Sequence, residues 1–507
     1  MIRSTFNSVF GWYLRQRLRG LDRVARTPVE TQRRWWNKLV RAGESTEFGK
    51  LYGFSDIKTV EQWRRRVPVQ DYESLKRDIE RMMRGERNVL WRGRVKYFSK
   101  SSGTTSDRSK YLPVSDENLR RCHIRGTWDT MSFFYDQVPH AKQFEGKSLL
   151  MGGALENYGG KTLRGDISAV MIDNMPQVAR PFFTPDFQTA LMVDFEAKLE
   201  RMAQIVSREP DLTMVGGVPT WTVVLFRRIL EITGADHLRE VFPNLQGYIH
   251  GGVSFTPYRK QFERFVPDPD FVYQEIYNAS EGFFAAQANF GEDGMRLLLN
   301  NGVYYEFLPS DQWEENFPRV LDLSEVQTGV DYALLITTNS GLWRYRIGDT
   351  IQFLRTDPHT IKVTGRTKQF VNAFGEEVMV DNTDRALAQT CRATGAEVAD
   401  YTLAPVYFTE GKRGKHEWLV EFAQAPASTD RFADLLDENL RTINSDYAAK
   451  RHADLALERL QLRALPPGSF NAWMKRRGKL GGQHKVPRLS NDRRYVDDIL
   501  GFLEQTT

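Results

Sequence analysis

Apolar residues recur at helical spacing through the first ninety positions. VEQWRRRVPVQDYESLKRDIERMM (60–83) sets apolar and aromatic side chains three and four apart among good helix formers, with Pro68 breaking the run. From Trp91 the pattern changes to short apolar runs (YFSK, KSLLM, TMVG) alternating with helical stretches near 197–208 and after Pro219, the signature of an α/β sheet. In the middle of the chain LLLNNGVYYEF places Asn301-Gly302 between two β-rich runs, which predicts a type I′ hairpin, and DYALLITTNSGLWRYRIGDTIQFL adds further strands. After Gly365 the pattern resets to a helix near 381–394, strands at 399–409 and 416–423, a helix over 429–444 and a basic, Gly-rich end. No period of 20 to 50 residues repeats, so solenoids are excluded. The expected fold is α/β: a large N-terminal domain (1–366) of mixed α/β sheets plus a β-barrel-like part, and a small α+β C-terminal domain (367–507).

Composition changes this picture little. The 507 residues exceed one typical domain, and 41% hydrophobic with 27% charged residues is ordinary for globular chains. The run from Met214 to Phe226 is too short for a membrane span and contains Pro219. The first 23 residues lack the uninterrupted apolar core of a secretory signal, leaving an Arg-rich targeting helix as the alternative. Cys122 and Cys391 stand far apart without metal-ligand spacing, so neither a disulfide framework nor a zinc site is expected, and a reducing cytoplasm fits. Net charge is +5, but residues 1–40 and 468–495 each carry a surplus of seven positive charges, so the remainder is acidic. Basic ends on an acidic body suit a small anionic ligand or a solvated surface better than a nucleic-acid track. Neither nucleic acid nor membrane is an expected partner, and oligomeric state is left open.

Four segments carry candidate chemistry. SSGTTSDRSK (101–110) follows a predicted strand and combines small residues, whose N–H groups can line a concavity, with hydroxyls and a lysine, as a phosphate requires. Its spacing is not that of a Walker loop, and a polar surface loop has the same composition. In YQEIYNASEGFFAAQ a β-rich run leads to Glu281, a carboxylate at a strand's C-terminal edge beside small residues, suited to Mg²⁺. Tyr277 and Phe283 read equally as core aromatics, and His250 as a hydrogen-bonded structural histidine. In YRIGD, Asp349 follows Gly348 after a predicted strand, where a carboxylate can accept both ribose hydroxyls, although glycine-aspartate is also ordinary turn chemistry. RRGKLGGQHKVPRL (476–489) sets glycines before Lys485 and Pro487 after it, so a cation could be delivered to phosphate; a solvated basic tail has the same charge pattern.

In this order, with TEFGKLYGF, VPVQDYE, GERNVLW, TGRTKQFVNAFGEEV and GGQHKVPRL, the chain resembles the Gretchen Hagen acyl acid amido synthetases (the auxin-responsive promoter family) of the adenylate-forming superfamily. The resemblance spans nearly the whole chain. It implies that Ser101, Ser102, Gly103, Thr104, Thr105 and Lys110 bind ATP phosphates. It further implies that Tyr277 flanks adenine with Asn278, Ala279 and Ser280 beside it, that Glu281 binds Mg²⁺ and that Asp349 binds ribose. Arg366 would contact the nucleotide, the small domain would rotate about Lys368, and Lys485 would be the C-terminal catalytic lysine. The implied reaction is ATP-dependent adenylation of a small carboxylic acid, then transfer to an amino acid amine. A ligase delivering the acyl group to CoA or a carrier protein, and a nucleotide sensor without catalysis, are the alternatives. The stretches 122–134 and 176–221, with Met171, Met192, Met214 and Trp221, are expected to shape the acid pocket, though core packing accounts for them equally.

Overall fold

The computed structural model describes residues 2–101, 110–252, 255, 258–309, 317–367, 370–371, 373, 376, 378–406, 414–451, 457–480 and 485–506. The chain divides into two compact units: Met1–Val253 with Arg264–Lys362, and Ser254–Glu263 with Val363–Thr507. The second unit thus takes in residues 254–263 and 363–366, which the sequence leaves in the N-terminal domain.

The first unit is built on one eleven-stranded sheet. Lys147–Leu150, Phe183–Thr184, Leu212–Gly217, Gly247–Gly251 and Val272–Ala279 run parallel, joined by helices such as Phe195–Val206 and Pro219–Thr233. Val272–Ala279 is also antiparallel to Gly282–Ala286, and from there Met295–Leu297, His359–Arg366, Tyr345–Thr356, Asp331–Thr338 and Val303–Pro309 continue the sheet. The barrel-like part expected from sequence is therefore the antiparallel half of this sheet, and among the described residues its strand order does not close. Met295–Leu297 pairs on both sides and carries the ladder straight through.

Asn301-Gly302 does not make a hairpin. Met295–Leu297 and Val303–Pro309 pair with other strands, because side chains take the backbone groups that a hairpin would use. Gln32 Nε2 donates to Leu299 O (2.9 Å) and Val303 O (3.1 Å), its Oε1 accepts from Tyr305 N (2.8 Å), and the Asn301 amide donates to Phe283 O. Gly302, at φ 84°, turns the corner against Asn339. Gln32 lies on the helix Pro28–Gly43, which opens on proline and buries Trp35, Trp36, Leu39 and Val40.

A separate four-stranded sheet, ordered Lys110–Val114, Tyr97–Ser101, Thr162–Gly165, Leu155–Gly159, carries the SSGTTSDRSK loop between its first two strands. In the second unit, Glu397–Val406, Lys415–Gln424 and Gln461–Leu465 form a three-stranded sheet. Successive residues serve opposite faces: Leu403, Trp418 and Val420 join one core with helices Val380–Thr394 and Thr429–Ile443, whereas Ala404 and Leu419 join another with Phe470, Trp473 and Ile499. No helix among the described residues is long and apolar enough to cross a membrane.

Candidate active site

The strand Val272–Ala279 is where the sheet changes from parallel to antiparallel, and YNASEG occupies its C-terminal end. Crevices at such a switch are where open α/β sheets bind ligands. Gly282 pairs with Ala279, so Ser280 and Glu281 form the two-residue turn of a hairpin, both about 7% exposed. Ser280 Oγ donates to Lys100 O (3.2 Å), fixing this turn to the strand that leads into the 101–110 loop. Ser101 and Lys110 pair across the base of that loop, with the Lys110 ammonium 5.6 Å from the Tyr72 ring centroid. Ser102, Gly103, Thr104 and Thr105 lie outside the described residues.

Asp349 sits within the strand Tyr345–Thr356 and not in a turn after it. Ile347, Gly348 and Asp349 face the single residue Leu334 across a bulge, and Gly348 takes φ 90°, where a side chain would be strained. The bulge re-aims Asp349, whose Oδ2 accepts a 2.6 Å hydrogen bond from the Tyr277 hydroxyl. Tyr277, also packed edge-on to Phe284 at 5.0 Å between centroids, thus joins the second and third sequence motifs. Asn278 is held by His123, whose Nδ1 is 3.2 Å from Asn278 Oδ1. Burial pushes the His123 pKa down to about 4, so the ring is neutral and with Nδ1–H donating brings no charge to the site. His123 lies in a π-helical turn, Leu119–Ile124, and Cys122 in the same turn accepts from Phe283 N (3.2 Å).

A network that sequence reasoning missed supports the bulge. Arg344 is buried at φ 44°, an uncommon conformation for a non-glycine residue. Its Nε donates to Glu306 Oε2 (3.0 Å) and its Nη1 to Val67 O (2.6 Å), while Arg64 Nε donates to Glu306 Oε1 (3.1 Å). Gln70 N donates to Arg344 O (2.9 Å) and its O accepts from Arg346 N (2.8 Å). VPVQDYE and WRYRIGD are therefore one structural piece. The only trace in the sequence is a charged residue inside each of two apolar runs.

In the second unit Lys368 lies outside the described residues, as do residues 481–484 before Lys485. Past Lys485 the chain is anchored: Thr402 Oγ1 donates to Pro487 O (2.6 Å), Leu403 N to Arg488 O (2.9 Å) and Ser490 N to Leu403 O (3.3 Å). The largely buried Arg488 guanidinium, its side chain 13% exposed, pairs with Asp400 and lies 4.4 Å from the Tyr401 ring centroid. Burial raises the Asp400 pKa, and Arg488 opposes the rise. Arg488, more than Pro487, ties this segment down. Glu376 of FGEEV is fully buried and binds His416 Nε2 at 2.8 Å, which makes it a structural residue. Arg366 ends the strand His359–Arg366.

Residues 17–207 match the model of the GH3 family N-terminal domain, 296–366 that of the GH3 family central domain and 381–494 that of the GH3 family C-terminal domain. The indole-3-acetic acid-amido synthetase GH3.4 of Arabidopsis thaliana is 22% identical, with 93% of this chain and 91% of that protein covered. The jasmonoyl-L-amino acid synthetase JAR6 of Nicotiana attenuata is 23% identical, with 89% of each covered. Among solved structures, GH3.15 acyl acid amido synthetase superposes with a TM-score of 0.77 at 15% identity, covering 96% of this chain and 95% of that one. A 2-hydroxyisobutyryl-CoA ligase holding 2-HIB-AMP superposes with a TM-score of 0.62 at 15% identity over 95% and 93%. These two share its fold.

Proposed function

This chain belongs to the GH3 family, and on that premise we propose that it is an ATP-dependent acyl acid amido synthetase. It adenylates a small carboxylic acid, releasing pyrophosphate, and passes the acyl group to the amine of an amino acid, releasing AMP. Its relatives' names point to indole-3-acetic acid and jasmonate as the first acids to test. The observation that carries this reading is the Tyr277–Asp349 hydrogen bond at the sheet's switch point, beside a hairpin turn bonded to the root of the 101–110 loop.

A carboxylate acylates poorly because oxide is a poor leaving group, and adenylation replaces it with AMP. The acid's oxygen attacks the α-phosphorus of ATP and pyrophosphate departs. Ser101, Ser102, Gly103, Thr104, Thr105 and Lys110 would cradle the phosphates with N–H groups, hydroxyls and an ammonium. Tyr277 would flank adenine beside Asn278, Ala279 and Ser280, and the Asp349 carboxylate would accept from the ribose hydroxyls. Arg366 would meet the nucleotide, and Lys485 would oppose charge growing on phosphoryl oxygens. Glu281 suits Mg²⁺: a buried carboxylate supplies hard oxygen, and magnesium commonly takes one or two carboxylates, with phosphate oxygens and water filling its remaining positions. When bound, Mg²⁺ would offset phosphoryl charge. Rotation of the small domain about Lys368 would then open the adenylate to the amine. The unpaired Cys122 and Cys391 support a cytoplasmic location.

The fold shared with a CoA ligase keeps thioester formation as the second reading. Acid-dependent exchange of pyrophosphate into ATP, screened over a carboxylic acid library and followed by product analysis with amino acids and CoA, tests both. No exchange with any acid would overturn adenylation.

A further inference from the structure

Resting on the adenylation reading, we propose that Lys198 is a positioning residue that fixes the wall of the acid-binding side of the cleft and thereby helps select the acid. Lys198 stands in the first turn of the helix Phe195–Val206, where the helix dipole disfavours a cation. It is nevertheless 4% exposed, and a buried ammonium needs partners. Nζ donates to Gly152 O (2.5 Å), Gly153 O (3.1 Å) and Met192 O (3.4 Å). Asp166, itself buried, supplies the facing charge and accepts from Ala154 N (3.0 Å). One cation therefore ties together the turn leaving the strand Lys147–Leu150 and the segment preceding the helix.

That turn belongs to the ligand edge of the sheet. Lys147–Leu150, Leu212–Gly217 and Gly247–Gly251 are parallel, and paired glycines stand at or just past the end of each, at 152–153, 216–217 and 251–252. Neither glycine held by Lys198 leaves room for a side chain: a Cβ on Gly153 would meet Asp166 Oδ2 at 1.7 Å, and one on Gly152 would meet Ile172 at 2.5 Å. The arrangement fits a rigid, closely shaped wall. Asp166 also lies within electrostatic reach of Lys100, whose carbonyl holds Ser280, so the wall adjoins the nucleotide end of the cleft.

Protonation controls the clamp. An ammonium has three N–H donors for three carbonyls, and a neutral amine has two. Burial lowers the Lys198 pKa to about 8, with Asp166 opposing the fall, so one carbonyl loses its donor as pH rises through that value.

The full-length protein and K198M should be compared by hydrogen exchange and by pyrophosphate exchange on one acid panel from pH 6.5 to 9.5. The clamp predicts that peptides covering 151–154 and 189–193 exchange at least fivefold faster in K198M at pH 7, with the difference narrowing above pH 8.5 as wild type loses one of its three donors. It also predicts, for the best acid, a KM raised about tenfold with ATP KM within twofold, and an altered ranking of acids. Equal protection in the two proteins, or a wild-type acid KM flat across pH, overturns the proposal. If K198M fails to fold, the wild-type pH series decides alone. If wild type activates no acid, the functional reading fails, and hydrogen exchange alone tests whether the clamp exists.

Discussion

The Tyr277 hydroxyl donates to the Asp349 carboxylate at 2.6 Å, joining residues 72 positions apart. Tyr277 stands at the sheet's switch point and Asp349 on a bulge four strands along the same sheet, so neither neighbour in sequence announces the other. Tyr277→Phe keeps the ring against Phe284 and removes only the donor. A hydrogen bond to a charged group is worth roughly 1.5–3 kcal/mol, so ATP KM should rise about tenfold or more with a stable fold. An unchanged ATP KM in pyrophosphate exchange would separate Asp349 from nucleotide binding.

Glu281→Gln keeps the hairpin turn's shape and removes its charge. Acid-dependent exchange should fall by about 10²-fold or more and recover in part as Mg²⁺ is raised, since weakened metal binding is overcome by mass action. Loss insensitive to Mg²⁺ across a wide titration would assign Glu281 a structural part.

The order of strands and helices was legible because local periodicity is a local property. The switch point was not, since Val272–Ala279 reads as one strand whichever direction its neighbours run. Asn301-Gly302 carried a true turn signal, but side chains from the helix at 28–43 decided what the turn connects. Arg344, Glu306 and Arg64 could not be joined on paper, because a buried ion pair leaves no periodic mark. Arg488 likewise sits within VPRL with no spacing to mark it, whereas glycines precede Lys485.

Glu306→Ala tests the network under the bulge. It would strand Arg344 and Arg64, two cations that Glu306 now pairs in the core. Breaking a buried pair costs on the order of 3–5 kcal/mol. The first thermal transition should drop by about 5 °C or more, and ATP KM should rise because Asp349 loses its support. A normal transition temperature in calorimetry would show that water enters and solvates the arginines.

Lys485→Ala should cut adenylation by about 10²-fold while leaving amide formation from a supplied acyl adenylate within severalfold of wild type. Once pyrophosphate has gone, the charge that the lysine would oppose has gone with it. Equal loss in both half-reactions, measured separately by exchange and by single turnover, would instead indicate damage to the anchored segment around Arg488.

The acceptor is where amide and thioester chemistry part. CoA would present a thiolate, whereas an amino acid must lose its ammonium proton before its nitrogen can attack the adenylate. If the amine is taken from solution unprotonated, the transfer rate should rise about tenfold per pH unit below the α-amino pKa of about 8 to 9 for a free amino acid and level above it, unless the site supplies a base. Adenylation needs no such step and should vary less over that range, so the two half-reactions should separate as pH falls. Mass spectrometry of a reaction holding ATP, Mg²⁺, an accepted acid, pooled amino acids and CoA should show the amide and AMP. A dominant thioester with no amide above the uncatalysed background would move this chain to the CoA ligases, while the roles given to Tyr277, Asp349 and Glu281 in adenylation would stand.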